Sequence, residues 1–257
     1  MQISASCTTS WDDGHPLDQR VAELLAKYGL QGTFYVPIEN SRELLTPSQI
    51  HRLSAAFEVG AHTTHHVVLT DVSEETAESE IRESKKRLED ITGSSCDGFC
   101  FPSGRFRRRH LDMVRRAGFH FARSVELLSI RPPTRRAGVY LIPTTVQASL
   151  QSWTTYAKNS GKRLAVGNLV NAVLHARSRD WVATAHSMMQ LVAKRGGVFH
   201  LWGHSWEIER EQQWPQLESV LREMRELRTK MPSVPNSGLI RADPVPFTGT
   251  AGASCDT

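Results

Sequence analysis

The sequence predicts an α/β fold whose parallel sheet closes, or nearly closes, into a barrel. Three observations predict it. Strand-like and helix-like segments alternate along the chain, as βα units with parallel pairing do. The 257 residues are enough for one such barrel and leave little over. Clusters rich in Asp and His follow the strand-like segments, at the ends where a parallel barrel carries its active site.

The elements follow in order. A first strand is read at residues 3–10. Pro16 opens a helix at its first position, with Leu17, Val21, Leu24 and Leu25 on one face, and Gly29 sits where that helix should stop. Residues 32–36 form a second strand, Thr46-Pro47 starts the next helix, and residues 58–61 form a short third strand. Asp71 with Glu74 three residues on resembles a capping box, with Asp in place of Ser or Thr. It opens a long charged helix that runs through Ile91 and stops at Gly93. Then come a strand at 98–101, a helix at 107–116 ended by Gly118, and strands at 119–125 and 139–142. Residues 147–171 show no clear period. A helix at 180–194, a buried strand at 197–202 and a last helix at 214–231 complete the domain, which is therefore drawn as 1–231. The remainder, 232–257, is rich in Pro, Ser, Gly and Thr and reads as a disordered tail. There is no internal repeat.

Composition excludes several classes. Hydrophobic residues at 39% and charged residues at 23% fit a folded core rather than disorder. A net charge of +4 is too small for a nucleic-acid binder, whose basic residues cover a whole face. The basic run at 105–109, with Arg115 and Arg116 behind it, reads as a solvated helix face rather than a patch for acidic glycans. No segment approaches 18 apolar residues, so no membrane span is expected. The four cysteines, Cys7, Cys96, Cys100 and Cys255, have no C-x-x-C spacing, which argues against a thiolate zinc site. They are also too few to staple a chain this long. With no basic start, apolar run and cleavage site at the beginning, a cytoplasmic location is expected.

The strand ends concentrate the chemistry. Ser10-Trp11-Asp12-Asp13-Gly14 follows the first strand, His62-Thr63-Thr64-His65-His66 the third, Pro102-Ser103-Gly104 the fourth, and Gly203-His204-Ser205-Trp206-Glu207 the late one. Asp12 and Asp13 are costly neighbours unless something positive sits between them, although an Asp-Gly turn alone would account for them equally well. The histidines are harder to explain as packing. His62 and His66 are four apart, so one helical turn would bring their rings to the same side. Two histidines and one carboxylate with open positions is a pattern of catalytic metals. His200 and His204 are also four apart, but on a strand that spacing is about 13 Å, so both cannot hold one ion. His204 belongs to the site end, and His200 reads as a buried structural residue.

These segments resemble the motifs of the polysaccharide deacetylase family, which contains the NodB homology domain and carbohydrate esterase family 4. Ser-Trp-Asp-Asp-Gly at 10–14 is similar to the first motif, Thr-Phe-Asp-Asp-Gly. Gly-Ala-His-Thr-Thr-His-His at 60–66 is similar to His-Ser/Thr-x-x-His, with His65 as an extra residue between the two matching histidines. Cys-Phe-Pro-Ser-Gly at 100–104 resembles Arg-x-Pro-x-Gly, and His-Ser-Trp-Glu at 204–207 resembles the last motif. The matches run in family order. The resemblance implies a distorted (β/α) barrel of about seven strands. It implies Asp12 as general base, Asp13, His62 and His66 as ligands of a divalent metal, and His204 as general acid. The metal it implies is Zn2+, with Co2+ or Ni2+ as substitutes. It also implies the Ser103 N–H as an oxyanion donor. Pro102, Phe101 and Trp206 are candidates for contact with a sugar. Cys100 departs from the motif, where an Arg often pairs with the base aspartate. No fourth motif is evident, although residues 122–126 follow a strand and are expected to line the site. Either Glu126 or Glu207 would orient His204.

The expected activity is metal-dependent removal of an acetyl group from an N-acetylated sugar, oligosaccharide or glycan precursor, with no nucleic-acid or membrane partner. The alternatives are an allantoinase-like cyclic amide or imide hydrolase, an O-deacetylase on the same site, or a carbohydrate-binding barrel without turnover.

Overall fold

The computed structural model describes residues 4–150 and 180–240. Nine strands form one sheet in the order β6-β7-β5-β4-β3-β2-β1-β9-β8. They are β1 (Ala5–Asp12), β2 (Thr33–Val36), β3 (Glu58–Ala61), β4 (Gly98–Cys100), β5 (Phe121–Arg123), β6 (Thr134–Arg136), β7 (Val139–Ile142), β8 (Val146–Gln147) and β9 (Gly197–Gly203). Every pairing is parallel except β6 with β7. The sheet curls so that its two ends meet through one segment. β7 pairs with β5, and after Pro143 the same chain continues as β8 on β9. Thr145 bridges both sides: its N–H donates to the His200 carbonyl, while its own carbonyl accepts from the Leu128 N–H. With β7 and β8 counted as one stave and β6 as a hairpin appendage, seven parallel staves remain. This is the (β/α) barrel that was expected.

Helices cover the outside: α1 (Asp18–Tyr28), α2 (Pro47–Ser54), α3 (Glu74–Thr92), α4 (Arg108–Arg116), α5 (Trp181–Arg195), α6 (Ser205–Arg210) and α7 (Trp214–Glu226). Their ends show why the sequence stops and starts them there. Gly29 closes α1 at φ 63°, a left-handed cap that costs glycine nothing. Thr46 opens α2 through a full capping box with Gln49. The expected start of α3 at Asp71 is corrected. Ser73 is the cap, its hydroxyl accepting from the Thr76 N–H, and Asp71 ends a preceding 3-10 turn. Asp71 instead pairs with Arg105, and Glu74 and Glu78 pair with Arg109 and Arg116. The basic run thus faces the acidic side of α3. These pairs are about half exposed, so each adds little stability.

Further boundaries differ from the sequence reading: β1 ends at Asp12 rather than residue 10, α1 begins at Asp18 with Leu17 as its cap rather than at Pro16, and β5 covers only Phe121–Arg123. The last helix stops at Glu226 rather than Met231. The tail expected from Pro232 is packed through residue 240. The Cys7 N–H donates to the Pro232 carbonyl, and Val234 donates back to Cys7. Asn236 is fully buried: its side chain accepts from the Thr8 hydroxyl and donates to the Tyr35 hydroxyl, and its backbone N–H donates to the Thr33 hydroxyl. These long-range bonds override a composition that locally favours disorder. The unassigned stretch at 147–171 lies, from 151 onward, outside the described residues. Among the described residues no helix is long and apolar enough to cross a membrane.

Candidate active site

β1 aims one row of side chains inward. Thr8, Ser10 and Asp12 lie two apart and so share a face. Ser10 meets the His200 ring at 2.9 Å, and His200 Nδ1 meets the Pro143 carbonyl at 2.8 Å. Burial, with the charge of Arg123 nearby, holds the His200 pKa down to about 3, so it is a neutral structural residue, as expected. Asp12 ends the strand, 3% exposed, with Oδ2 on the Arg123 guanidinium and Oδ1 without a partner among the described residues. Burial raises its pKa, but the charges of Arg123, His62 and His204 outweigh that and hold the carboxylate below its ordinary range.

After Asp12 the backbone turns left-handed, with φ 76° at Asp13 and 61° at Gly14. Asp tolerates this conformation. Gly14 is required for a second reason, because a Cβ there would lie 2.7 Å from a Val36 methyl. The turn puts Asp13 Oδ1 3.6 Å from His62 Nε2 and 3.1 Å from His66 Nε2. Its Oδ2 accepts from the Trp206 indole N–H at 3.0 Å. The sequence argument brought the two histidines together by a helical turn. The structure does so by a loop, with left-handed Thr63 (φ 63°) and His66 (φ 54°), and the rings meet edge to face with centroids 4.9 Å apart.

The cluster fits a cation. One ligand atom from each of Asp13, His62 and His66 falls within 4.8 Å of the others. Asp13 Oδ1 is buried and has no hydrogen-bond partner among the described residues, which is costly unless a cation takes it up. His62 Nδ1 lies 2.9 Å from the Cys100 carbonyl. A carbonyl only accepts, so Nδ1 carries the proton and Nε2 presents its lone pair to the cluster. Two imidazoles and a carboxylate with room left is an open donor set.

The support around the cluster was only partly visible in the sequence, which left Glu126 and Glu207 as alternatives behind His204 and gave no sign of Glu80. Glu80 of α3, 7% exposed, accepts from the Thr64 and His65 N–H groups, both at 2.9 Å, and contacts the His65 ring at 2.5 Å. It pins the left-handed loop, so the extra histidine is part of that anchor. His204 lies 4.0 Å from Asp13 Oδ2 and is oriented by Glu207, whose carboxylate meets His204 Nδ1 at 2.8 Å and accepts from Gln147. Glu126 pairs with Arg131 instead. Burial depresses the His204 pKa, but Glu207, Asp12 and Asp13 more than offset this and hold it above its ordinary value. Ser103 is exposed at φ 56° on the rim. Phe101 and Pro102 are buried, and Phe101 stacks on Phe106 at 4.3 Å, so both form the wall beneath. Trp206 is half-buried between the Arg42 and Arg210 guanidiniums, 3.8 and 5.0 Å from its ring, and it orients Asp13. Arg123, in the segment expected to line the site, supplies the charge beside Asp12.

Fold and site together define a (β/α) barrel with a carboxylate–imidazole cluster at the C-terminal rim of its strands. Residues 4–122 match the family model described as polysaccharide deacetylase, the family whose motifs the sequence resembles. No curated protein matches the chain. Solved structures share the fold. The chitin deacetylase of the fungal pathogen Colletotrichum lindemuthianum is 17% identical, with 93% of this chain and 89% of that one covered and a TM-score of 0.60. A family 4 carbohydrate esterase from Streptomyces lividans, in complex with acetate, is 14% identical over 90% and 92% of the two chains, with a TM-score of 0.55. A family 4 acetyl xylan esterase from Clostridium thermocellum, in complex with a cobalt ion, is 15% identical over 93% and 92%, with a TM-score of 0.56.

Proposed function

We propose that the protein is a zinc-dependent deacetylase that removes the acetyl group from an N-acetylated sugar, oligosaccharide or glycan precursor. The observation that carries this reading is the buried, unpartnered Asp13 Oδ1 facing two imidazole nitrogens. Asp13, His62 and His66 would hold the ion, and their mixed N/O donor set suits zinc. When bound, such an ion polarises an acetyl carbonyl and acidifies water.

The chain's own residues supply the proton traffic. Asp12 keeps Oδ1 free and is ionised, so it takes the proton from the attacking water. The Ser103 N–H on the rim donates to the developing oxyanion. His204, held by Glu207 through Nδ1, offers Nε2 as the acid that protonates the leaving amine. Buried free thiols at Cys7, Cys96 and Cys100 support a reducing, cytoplasmic compartment.

The test is acetate release from N-acetylated chitooligosaccharides by the zinc-loaded chain, with acetylated xylan and a cyclic imide run in parallel. The xylan arm addresses O-deacetylation, the second reading, which the named activity of the Clostridium structure favours. Turnover on the N-acetylated probe should vanish on chelation. Asp12→Asn should lower kcat by about 100-fold or more while zinc binding persists. Turnover that survives exhaustive metal removal, or an undiminished Asp12→Asn variant, would sink the reading.

A further inference from the structure

We propose that Arg123 is the positioning residue for the Asp12 carboxylate, and that position 100, its register partner on the neighbouring strand, is an interchangeable station for the same cation. The inference rests on the deacetylase reading, because it assigns Asp12 a reacting oxygen to be aimed.

Three observations lead there. First, Asp12 is buried, and a buried carboxylate persists as an anion only beside a compensating charge. Arg123 supplies it from the end of β5 and is itself fully buried. The contact engages Oδ2 alone and leaves Oδ1 unpartnered among the described residues. One oxygen is clamped and the other is left for the water.

Second, Arg123 has no competing anchor among the described residues. Its Nε and Nη1 have no hydrogen-bond partner among them, and its guanidinium is 4.7 Å from the Trp202 ring and 5.6 Å from the Tyr35 ring. The aromatic faces fix where the group can lie, and Asp12 is the anion it reaches. A guanidinium that served only to hold the barrel together would spread its donors over several carbonyls.

Third, Cys100 and Arg123 are paired in register on β4 and β5, and Cys100 Sγ lies 3.8 Å from the same Asp12 oxygen. Adjacent strands are about 4.8 Å apart, so a side chain as long as arginine reaches one carboxylate from either strand. Cys100 is fully buried and carries no charge to contribute. The polysaccharide deacetylase motif has its Arg at this position. Here the cation stands one strand over, and a small side chain fills the place it would have occupied.

The experiment compares R123M, R123K and the exchange C100R/R123C in the zinc-loaded full chain. It measures kcat and KM on N-acetylated chitopentaose, the zinc dissociation constant and the melting midpoint. R123M should lose about 100-fold in kcat at nearly constant KM and zinc affinity, since misplacing a reacting group by about 1 Å costs that much. R123K should recover part of the loss, and the exchange should regain at least about tenfold over R123M. A folded, zinc-binding R123M with undiminished kcat overturns the proposal, as does a folded exchange no faster than R123M. If R123M does not fold, the exchange is judged against wild type: turnover within about tenfold supports interchangeability, and a folded but inactive exchange overturns it. If wild type itself is inactive on every acetylated probe, the deacetylase reading alone fails. Crystal structures of R123K and the exchange then decide the positioning. Asp12 displaced in R123K and restored in the exchange supports it, and Asp12 unmoved in R123K overturns it.

Discussion

At the scale of single residues, the site is organised by giving each acidic oxygen one task. Asp13 Oδ2 takes the Trp206 indole and leaves Oδ1 to the imidazoles, and Glu207 takes His204 Nδ1 and leaves Nε2 to the pocket. Glu207→Gln keeps the shape but exchanges the anion for an amide. It should lower kcat by about 10- to 100-fold, the usual cost of losing an orienting carboxylate behind a working imidazole. Steady-state kinetics check this, and an unchanged kcat would remove Glu207 from the acid's support. The residues of the site itself were legible because they stand next to one another after strands. The residue behind His204 was not, because Glu126 and Glu207 both follow strands and only the fold shows that Glu126 is taken by Arg131. Arg123 was hidden for the same reason, since nothing local to residues 121–123 points to a carboxylate 111 positions earlier.

At the scale of elements, the site depends on loops that the flanking helices hold. The loop after β3 reverses through two left-handed residues, and that conformation costs about 1–3 kcal/mol for each non-glycine residue unless the surroundings enforce it. Glu80 enforces it by capping two backbone N–H groups at once. Nothing in the sequence could show this, because residue 80 reads as one more charge on a charged helix. Glu80→Gln should weaken zinc binding by about tenfold, measured by competition with a chelator, and equal affinity would mean that the loop holds itself. On the other side, the Ser205 hydroxyl donates to Asp18 at 2.6 Å and ties α6 to α1 just beyond His204. Burial pushes the Asp18 carboxyl well above its ordinary range, and the nearby aspartates add to this. An acid whose folded pKa is raised binds its proton more tightly when folded. Stability is therefore intact at acid pH, falls as pH rises past the unfolded value, and is lowest above the folded pKa. In metal-free protein, Asp18→Asn should raise the melting midpoint relative to wild type at pH 8 and lose that advantage at pH 4. Scanning calorimetry reads the difference, and an equal gap at both pH values would contradict the assignment.

At the scale of the whole molecule, the barrel has a rim that carries the Asp–His cluster and a packed floor, and one face of β1 connects them. Thr8 serves the floor, Ser10 the middle and Asp12 the rim. The strand–helix alternation made the barrel legible in the sequence. The floor was not legible, because residues 232–240 carry turn-forming composition and acquire their structure only from partners more than 200 positions away, such as Thr33 and Tyr35. Asn236 satisfies three buried groups there, and removing its side chain leaves two of them, the Thr8 and Tyr35 hydroxyls, without their partner. Each buried polar group left unpaired costs about 1–3 kcal/mol. Asn236→Ala should therefore lose at least about 2 kcal/mol, a fall in melting midpoint of roughly 4–8 °C for a chain of this size. The rim should not feel it below the melting range, since four residues of strand separate Thr8 from Asp12 by about 13 Å. A lowered midpoint with unchanged kcat is the expected pair of results from thermal denaturation and acetate-release assays. If kcat fell while the midpoint held, floor and rim would be coupled, and residues 232–240 would belong to the site rather than to its foundation.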